Sequence, residues 1–258
     1  MAYLSTIGRI FFGAGIAGIG LMHFFFKGFR PLLAPLPPED TASIQVLIYV
    51  IASYLIVSGL LIAAGKSIRM VAGLLGIVLL LFFLIGHLPN RIRFNPEILG
   101  AWTDAIKILA ISGGAFILSH TDNNTDNRLF LPLQIATKAG IYFFAFMLVA
   151  FGTDHFLYAA FVNTLVPTWM PLPGFWTYFT GIALIAAGIA IATKFRVYKV
   201  ARLLALMLFL WLLLLHIPYA FQRPLNGGND IISSFVCLAF CGIALLIASK
   251  SENIRIES

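Results

Sequence analysis

Eight long apolar stretches, separated by short connections, limit what this chain can fold into. A bilayer core about 30 Å thick needs roughly 20 apolar residues per crossing helix. Stretches of about this length lie at 5–26, 44–65, 68–87, 104–119, 135–158, 175–193, 198–217 and 231–249. Of the 258 residues, 60% are hydrophobic and only 10% are charged. We therefore predict an all-α integral membrane protein with eight transmembrane helices and no separate soluble domain.

The basic residues are distributed unequally between the two sides of the predicted membrane protein. The side with both termini holds Arg9, Lys66, Arg69, Arg128, Lys138, Lys194, Arg196, Lys199, Arg202, Lys250 and Arg255, whereas the other holds Lys27, Arg30, Arg91, Arg93 and Arg223. The positive-inside rule then predicts that both termini of this multi-pass protein are cytoplasmic. The net charge of +7 does not indicate nucleic-acid binding, because these residues are scattered over loops.

The two halves of the chain resemble each other. Three sets of residues recur in the same order: Gly20, His23, Phe24 and Pro35 as Gly152, His155, Phe156 and Pro167; Leu61–Gly65 as Leu184–Gly188; and His87-x-Pro89 as His216-x-Pro218. This order predicts a tandem duplication. We expect two four-helix bundles, 1–120 and 135–250, joined by a cytoplasmic linker at 121–134 and followed by a tail at 251–258. Each unit has an even number of helices, so the repeats are parallel.

Four histidines fall at equivalent ends of predicted helices, at one depth near the outer face. They are His23, His87, His155 and His216, and Asp154, Arg93 and Arg223 lie nearby in the sequence. Ionisable groups at membrane depth often mark a site. An imidazole there could hydrogen-bond a quinone carbonyl, relay protons, or ligate haem or a metal. The spacing does not select among these ligands: the cofactor is unknown, a quinone is possible and haem is a weaker candidate, and no metal site or catalytic residue is assigned.

A purely structural role explains the same residues about as well as a ligand site does. Histidine and arginine at the outer interface anchor helices in many membrane proteins. In this interpretation Pro89 and Pro218 stop their helices, and Asp104 and Asp230 cap the helices that follow.

The segment at 162–179 is rich in proline and aromatic residues. Its Trp169, Trp176 and Tyr178 could form part of an interfacial aromatic belt, or could cover a pocket for a lipid-soluble ligand. The sequence leaves both interpretations open.

Three stretches of the second half resemble a known family. "GTDHFLYAAFVNTLVPTWMP", "FWTYFTGIALIAAGIAI" and "LFLWLLLLHIPYAF" are similar to DoxX-like bacterial inner-membrane proteins. The resemblance is strongest over 150–248, and the first half looks like a more diverged copy. It implies a four-helix membrane unit associated with thiosulfate-to-quinone electron transfer or with membrane redox complexes. The family supplies no catalytic residue that can be transferred to this chain.

Three functions are compatible with these observations. The leading hypothesis is a quinone-interacting or accessory subunit of a membrane redox system, with its His/Arg site facing the periplasm. The alternative is a structural or assembly subunit of a membrane complex without a ligand of its own. Small-molecule transport is disfavoured, because no helix core is broken by proline or carries a charge at its centre. Whether the chain is an enzyme stays open.

Overall fold

The computed structural model describes residues 2–26, 28–35, 43–120, 131–223 and 228–257, and within these ranges the regular structure is entirely helical. The α-helices are α1 (Ala2–Phe25), α2 (Gln45–Ala64), α3 (Ile68–Leu81), α4 (Leu88–Phe94), α5 (Thr103–Ser119), α6 (Leu131–Leu157), α7 (Ala159–Asn163), α8 (Pro173–Ala192), α9 (Val197–Trp211), α10 (Ile217–Gln222) and α11 (Asn229–Glu257). Most of the predicted linker, 121–130, lies outside the described residues.

In the part of the chain that the structure describes, eight helical stretches are long and apolar enough to cross a membrane, as predicted. They are Tyr3–Phe25, Gln45–Ala64, Ile68–Phe94, Leu99–Ser119, Lys138–Leu157, Pro173–Ala192, Val197–Gln222 and Asn229–Ser251. The third joins α3 to α4, and the seventh joins α9 to α10. The protein is therefore an all-α, multi-pass membrane protein.

The expectation that Pro89 and Pro218 stop their helices is wrong. A π-helical turn at Phe82–His87 leads directly into α4, and another at Leu212–His216 leads directly into α10. Each proline occupies the first turn of the helix that follows. Proline is tolerated there because its missing N–H and its fixed φ angle suit a first turn, and the wider π turn changes the hydrogen-bond register before it.

The helices of the two halves pack extensively against each other. α1 lies between α2 and α11, and α6 lies between α5 and α8. The first helix of each half is thus packed against the last long helix of the other half. α5 and α11 also contact each other, and the buried apolar residues of both halves form one continuous core.

Glycines allow the helix backbones to approach closely where the halves meet. A Cβ atom added at Gly113 of α5 would lie 2.5 Å from the carbonyl oxygen of Gly140 in α6. A Cβ atom added at Gly140 would likewise lie 2.5 Å from the carbonyl oxygen of Gly113. Gly8 of α1 and Gly242 of α11 form a second such pair: a Cβ atom added at Gly8 would lie 2.9 Å from the carbonyl oxygen of Gly242, and one added at Gly242 would lie 2.6 Å from that of Gly8. Small residues favour such contacts in membranes, where no hydrophobic effect drives helices together.

Several local features occur at matching places in the two halves. Both π-helical turns end at a histidine that precedes the helix with a proline in its first turn. A residue with left-handed φ precedes α3 and α9, namely Ser67 and Arg196. These paired features support the duplication, which stays a prediction, as does the division into two bundles.

The glycine pair between α5 and α6 generates the first prediction. We expect Gly113→Ala and Gly140→Ala to destabilise the fold by about 1–3 kcal/mol each, because the added methyl group overpacks a backbone contact. The measurement is the melting temperature of the purified protein in detergent. Gly86→Ala and Gly174→Ala are matched controls, since a Cβ at either position meets no atom within 4 Å. Equal melting temperatures for all four variants would contradict the prediction.

Candidate functional site

His23 holds the chain that follows α1 against the end of that helix. Its imidazole is 1% exposed. Nδ1 donates to the carbonyl oxygen of Ile19 at 2.9 Å, and Nε2 accepts from the backbone N–H of Arg30 at 3.3 Å. The Phe29 ring lies edge-on to the imidazole, 6.2 Å between ring centroids. Both ring nitrogens are therefore engaged within the chain, which supports the structural interpretation of His23.

His87, in the third span, holds the chain that follows α1 from another side. The side chain is fully buried at the end of the π-helical turn that follows α3. Its Nε2 donates to the carbonyl oxygen of Leu32 at 3.1 Å, while Nδ1 has no hydrogen-bond partner among the described residues. The imidazole also interacts electrostatically with Asp104 at the start of α5. His87 thus joins the segment after α1 to the third and fourth spans.

Residues 28–35, which we call the inserted segment, enter the first half of the protein. Four of its apolar side chains are buried: Phe29, Leu32, Leu33 and Ala34. Leu32 and Leu33 line a small apolar space together with Ile16, Ile19, Leu55, Leu79, Ile108 and Ile111, which come from α1, α2, α3 and α5. The inserted segment therefore fills the space between His23 and His87 that a ligand of both imidazoles would need.

A cluster of charged side chains surrounds Lys107, in the second turn of α5. The Lys107 ammonium group lies 3.0 Å from a carboxylate oxygen of Asp104, one helical turn earlier. It also interacts electrostatically with Asp154 near the end of α6 and with His216 at the end of the second π-helical turn. His216 interacts in turn with Asp230 in the first turn of α11. Groups from both halves therefore lie near one another at the end of the spans that is opposite to the chain termini. We call Asp104, Lys107, Asp154, His216 and Asp230 the Lys107 cluster.

Asp154 is the unusual member of the Lys107 cluster. Its Oδ1 atom is buried and has no hydrogen-bond partner among the described residues. Removing a carboxylate oxygen from water without a partner is costly, so such an oxygen is expected to hold a proton or to meet a ligand. Since Met22 stands at the equivalent place in the first half, this carboxyl group distinguishes the two halves.

A cavity of about 220 Å³ adjoins the cluster. Its wall combines polar and apolar groups: Arg30, Pro31, Leu32, Asp104, Lys107, Asn229, Ile232, Ser233 and Val236. The N-terminal ends of α5 and α11 contribute most of these residues, and the inserted segment contributes the rest. Arg30 is buried, and that burial lowers the pKa of its guanidinium group. The cavity could accept a small polar ring or headgroup whose remainder is apolar.

None of the predicted site residues lines this cavity; Asp154 and His216 interact electrostatically with Lys107, which forms part of its wall. Nδ1 of His155 donates to the carbonyl oxygen of Phe151 at 2.7 Å, and its ring stacks on Trp211. The Arg93 guanidinium lies 5.2 Å from the centre of the Phe94 ring, and that of Arg223 lies 4.5 Å from the centre of the Tyr219 ring. These cation–π contacts are typical of anchors at an interface.

The three aromatic residues proposed as a pocket cover do not line the cavity either. Trp169 is 66% exposed. Trp176 donates from its indole nitrogen to the carbonyl oxygen of Pro171 at 3.1 Å, and Tyr178 packs against the Phe156 ring. Their positions favour the interpretation as an interfacial belt.

Sequence reasoning missed Lys107. The available signal was the Asp104-x-x-Lys107 spacing, which places opposite charges on one helix face inside an apolar span. Asp104 was expected to cap α5, but it lies in the first turn and pairs with Lys107. Arg30, Asn229 and Ser233 carried no signal, because their convergence depends on the tertiary fold. Among the described residues, no group of three or more His, Cys, Asp or Glu side chains could hold a metal ion.

The role of the two buried histidines generates the second prediction. We expect His23→Ala and His87→Ala to lower stability by about 1–3 kcal/mol each, because each leaves a buried backbone group without its partner. The inserted segment should also loosen. The measurement is maleimide labelling of Leu33→Cys, which we expect to be slow alone and faster when combined with His87→Ala.

The control for labelling is Leu33→Cys combined with Tyr49→Ala instead of His87→Ala, because Tyr49 lies on the exposed surface of α2. The native Cys237 and Cys241 are buried and supply the unlabelled background. If Leu33→Cys reacted equally fast with and without His87, the imidazole would not hold the segment.

One comparison with known proteins gives a match. Residues 144–234 match the model of a family described as a domain of unknown function, DUF8561. No curated protein and no solved structure matches the chain. The matched range runs from α6 into α11 and contains Asp154, His155, His216 and Asp230, but not Lys107 or the inserted segment.

Proposed function

We propose that this protein is a quinone-interacting accessory subunit of a membrane redox system, and that the quinone ring binds at the Lys107 cluster. The observation that carries the proposal is the buried carboxylate oxygen of Asp154, which has no hydrogen-bond partner among the described residues and interacts with the Lys107 ammonium group. A polar, proton-exchanging group at this depth in an apolar protein is expected to serve a ligand.

The chemistry of the cluster suits a quinone. The ring presents two carbonyl oxygens, which accept hydrogen bonds, and Lys107 and His216 can both donate. The long apolar tail of a membrane quinone suits the lipid-facing helices. Reduction of a quinone consumes two protons and two electrons. Asp154 and His216 can carry protons, whereas the electrons would come from a partner protein, which explains the accessory role.

The proposed setting is a bacterial inner membrane with both termini in the cytoplasm. The excess of basic residues on the side of the termini supports that orientation. The Lys107 cluster lies at the opposite ends of the spans and would then face the periplasm. The resemblance to DoxX-like proteins fits this proposal, since members of that family are associated with quinone-linked electron transfer.

Bound quinone provides the third prediction. We expect the protein in lipid nanodiscs to bind added ubiquinone or menaquinone, and Lys107→Met or Asp154→Asn to weaken binding at least about tenfold. A hydrogen bond to a charged group contributes roughly 1.5–3 kcal/mol, which corresponds to that factor. The measurement is the quinone retained per protein, read from the oxidised-minus-reduced ultraviolet spectrum of the extract.

Arg93→Gln and Arg223→Gln are the controls for this experiment. Each removes one positive charge at the same end of the protein, but their guanidinium groups lie on Phe94 and Tyr219. We expect both variants to retain quinone. Absence of quinone from the unmodified protein, or equal loss in all four variants, would overturn the proposal.

A second candidate, a structural or assembly subunit, is favoured by the hydrogen bonds of His23 and His87. These residues stabilise the inserted segment and need no ligand to explain their burial. In that case Lys107→Met and Asp154→Asn would change neither quinone content nor the activity of the host complex. The nanodisc experiment therefore separates the two candidates.

A further inference from the structure

Four basic residues lie near one another at the end of the protein that is opposite to the Lys107 cluster. They are Arg69 at the start of α3, His120 just after α5, Lys138 in α6 and Lys250 in α11. We infer that this basic cluster binds the phosphate of an anionic phospholipid headgroup. The inference is independent of the proposed quinone site, because the two groups lie at opposite ends of α5.

The packing of α5 brings these side chains together. α5 contacts α3, α6 and α11, and its residues from Ala105 to Ser119 are buried except for the partly buried Lys107. Because α5 ends at Ser119, the ends of its three neighbours that carry Arg69, Lys138 and Lys250 lie near His120. The close approach at Gly113 and Gly140 holds α6 near the last turns of α5. The convergence of charge thus follows from backbone contacts.

The groups act on one another electrostatically. The pKa of His120 lies below its ordinary value, first because of burial and then because of the positive charges of Lys250, Arg69 and Lys138. All three charged groups that act on His120 within the described part of the chain are positive. The positive charges of Lys138 and Lys250 beside His120 would attract a bound anion.

Apolar surface beside the cluster makes a lipid a better ligand than a free ion. Met70 and Leu74 of α3 are 65% and 51% exposed, and Ile135 and Tyr142 of α6 are 59% and 48% exposed. These residues flank Arg69 and Lys138 on helices that cross the membrane. A phospholipid could place its phosphate among the basic groups and its acyl chains along this surface. Basic pockets between transmembrane helices bind anionic headgroups in this manner.

The test measures lipid retention and stabilisation. Native mass spectrometry of the detergent-purified protein counts retained phosphatidylglycerol or cardiolipin. Thermal denaturation then records the shift on adding phosphatidylglycerol, phosphatidylcholine or inorganic phosphate. We expect a shift with the anionic lipid only, about fivefold weaker binding for each basic charge removed by Lys138→Gln or Lys250→Gln, and weaker binding at high salt.

Lys199→Gln is the matched control, because Lys199 is an exposed lysine at the same end of the protein, on α9. Lys138 is also exposed, so its substitution leaves the packed core intact. We expect Lys199→Gln to retain the lipid. An equal loss in the Lys199 and Lys138 variants, the same shift with phosphatidylcholine, or a full shift with inorganic phosphate alone would overturn the lipid site.

Discussion

Backbone hydrogen bonding inside a bilayer is the constraint on which the rest of this structure depends. Each unsatisfied N–H or C=O group in hydrocarbon costs several kcal/mol, so a membrane-spanning chain is helical unless the protein supplies other partners. The inserted segment is the main departure from helix in the first half. Part of its backbone is satisfied locally, since Leu33 and Ala34 donate to the Arg30 carbonyl oxygen. His23 and His87 supply partners for two further backbone groups.

This constraint links the two histidines to the candidate site. Because the imidazoles fix the backbone at Arg30 and Leu32, they also fix one wall of the cavity beside Lys107. The first half therefore contributes to the site through the inserted segment and α5. The second half contributes Asp154, His216 and the start of α11. A ligand in the cavity would contact both halves without meeting His23 at all.

The sequence predicted the eight spans well, because length and hydropathy suffice to identify crossing helices. It placed the ends of the third and seventh spans too early, since proline usually stops a helix and a π-helical turn has no clear sequence signature. The position of the histidines near the ends of their spans could be predicted, but not their partners. In a helix that is apolar on all sides, the sequence does not reveal which face meets a neighbour. Lys107 was overlooked although its spacing from Asp104 places both charges on one face of α5.

The two halves use equivalent histidines in different ways. His23 and His155 both donate from Nδ1 to the carbonyl oxygen four residues earlier. In the first half the inserted segment then engages His23 and His87. In the second half the chain after α6 forms α7, and the Tyr219 hydroxyl donates to the carbonyl oxygen of Leu165.

His216 is consequently left to interact with Lys107 and Asp230 rather than with an inserted backbone. If the halves arose by duplication, the first copy has committed its imidazoles to structure, whereas the second has kept His216 among ionisable groups. The DUF8561 match runs over 144–234, within the second half of the chain. The proposed site therefore combines Asp154 and His216 of the second half with Lys107 of the first, with which both interact electrostatically.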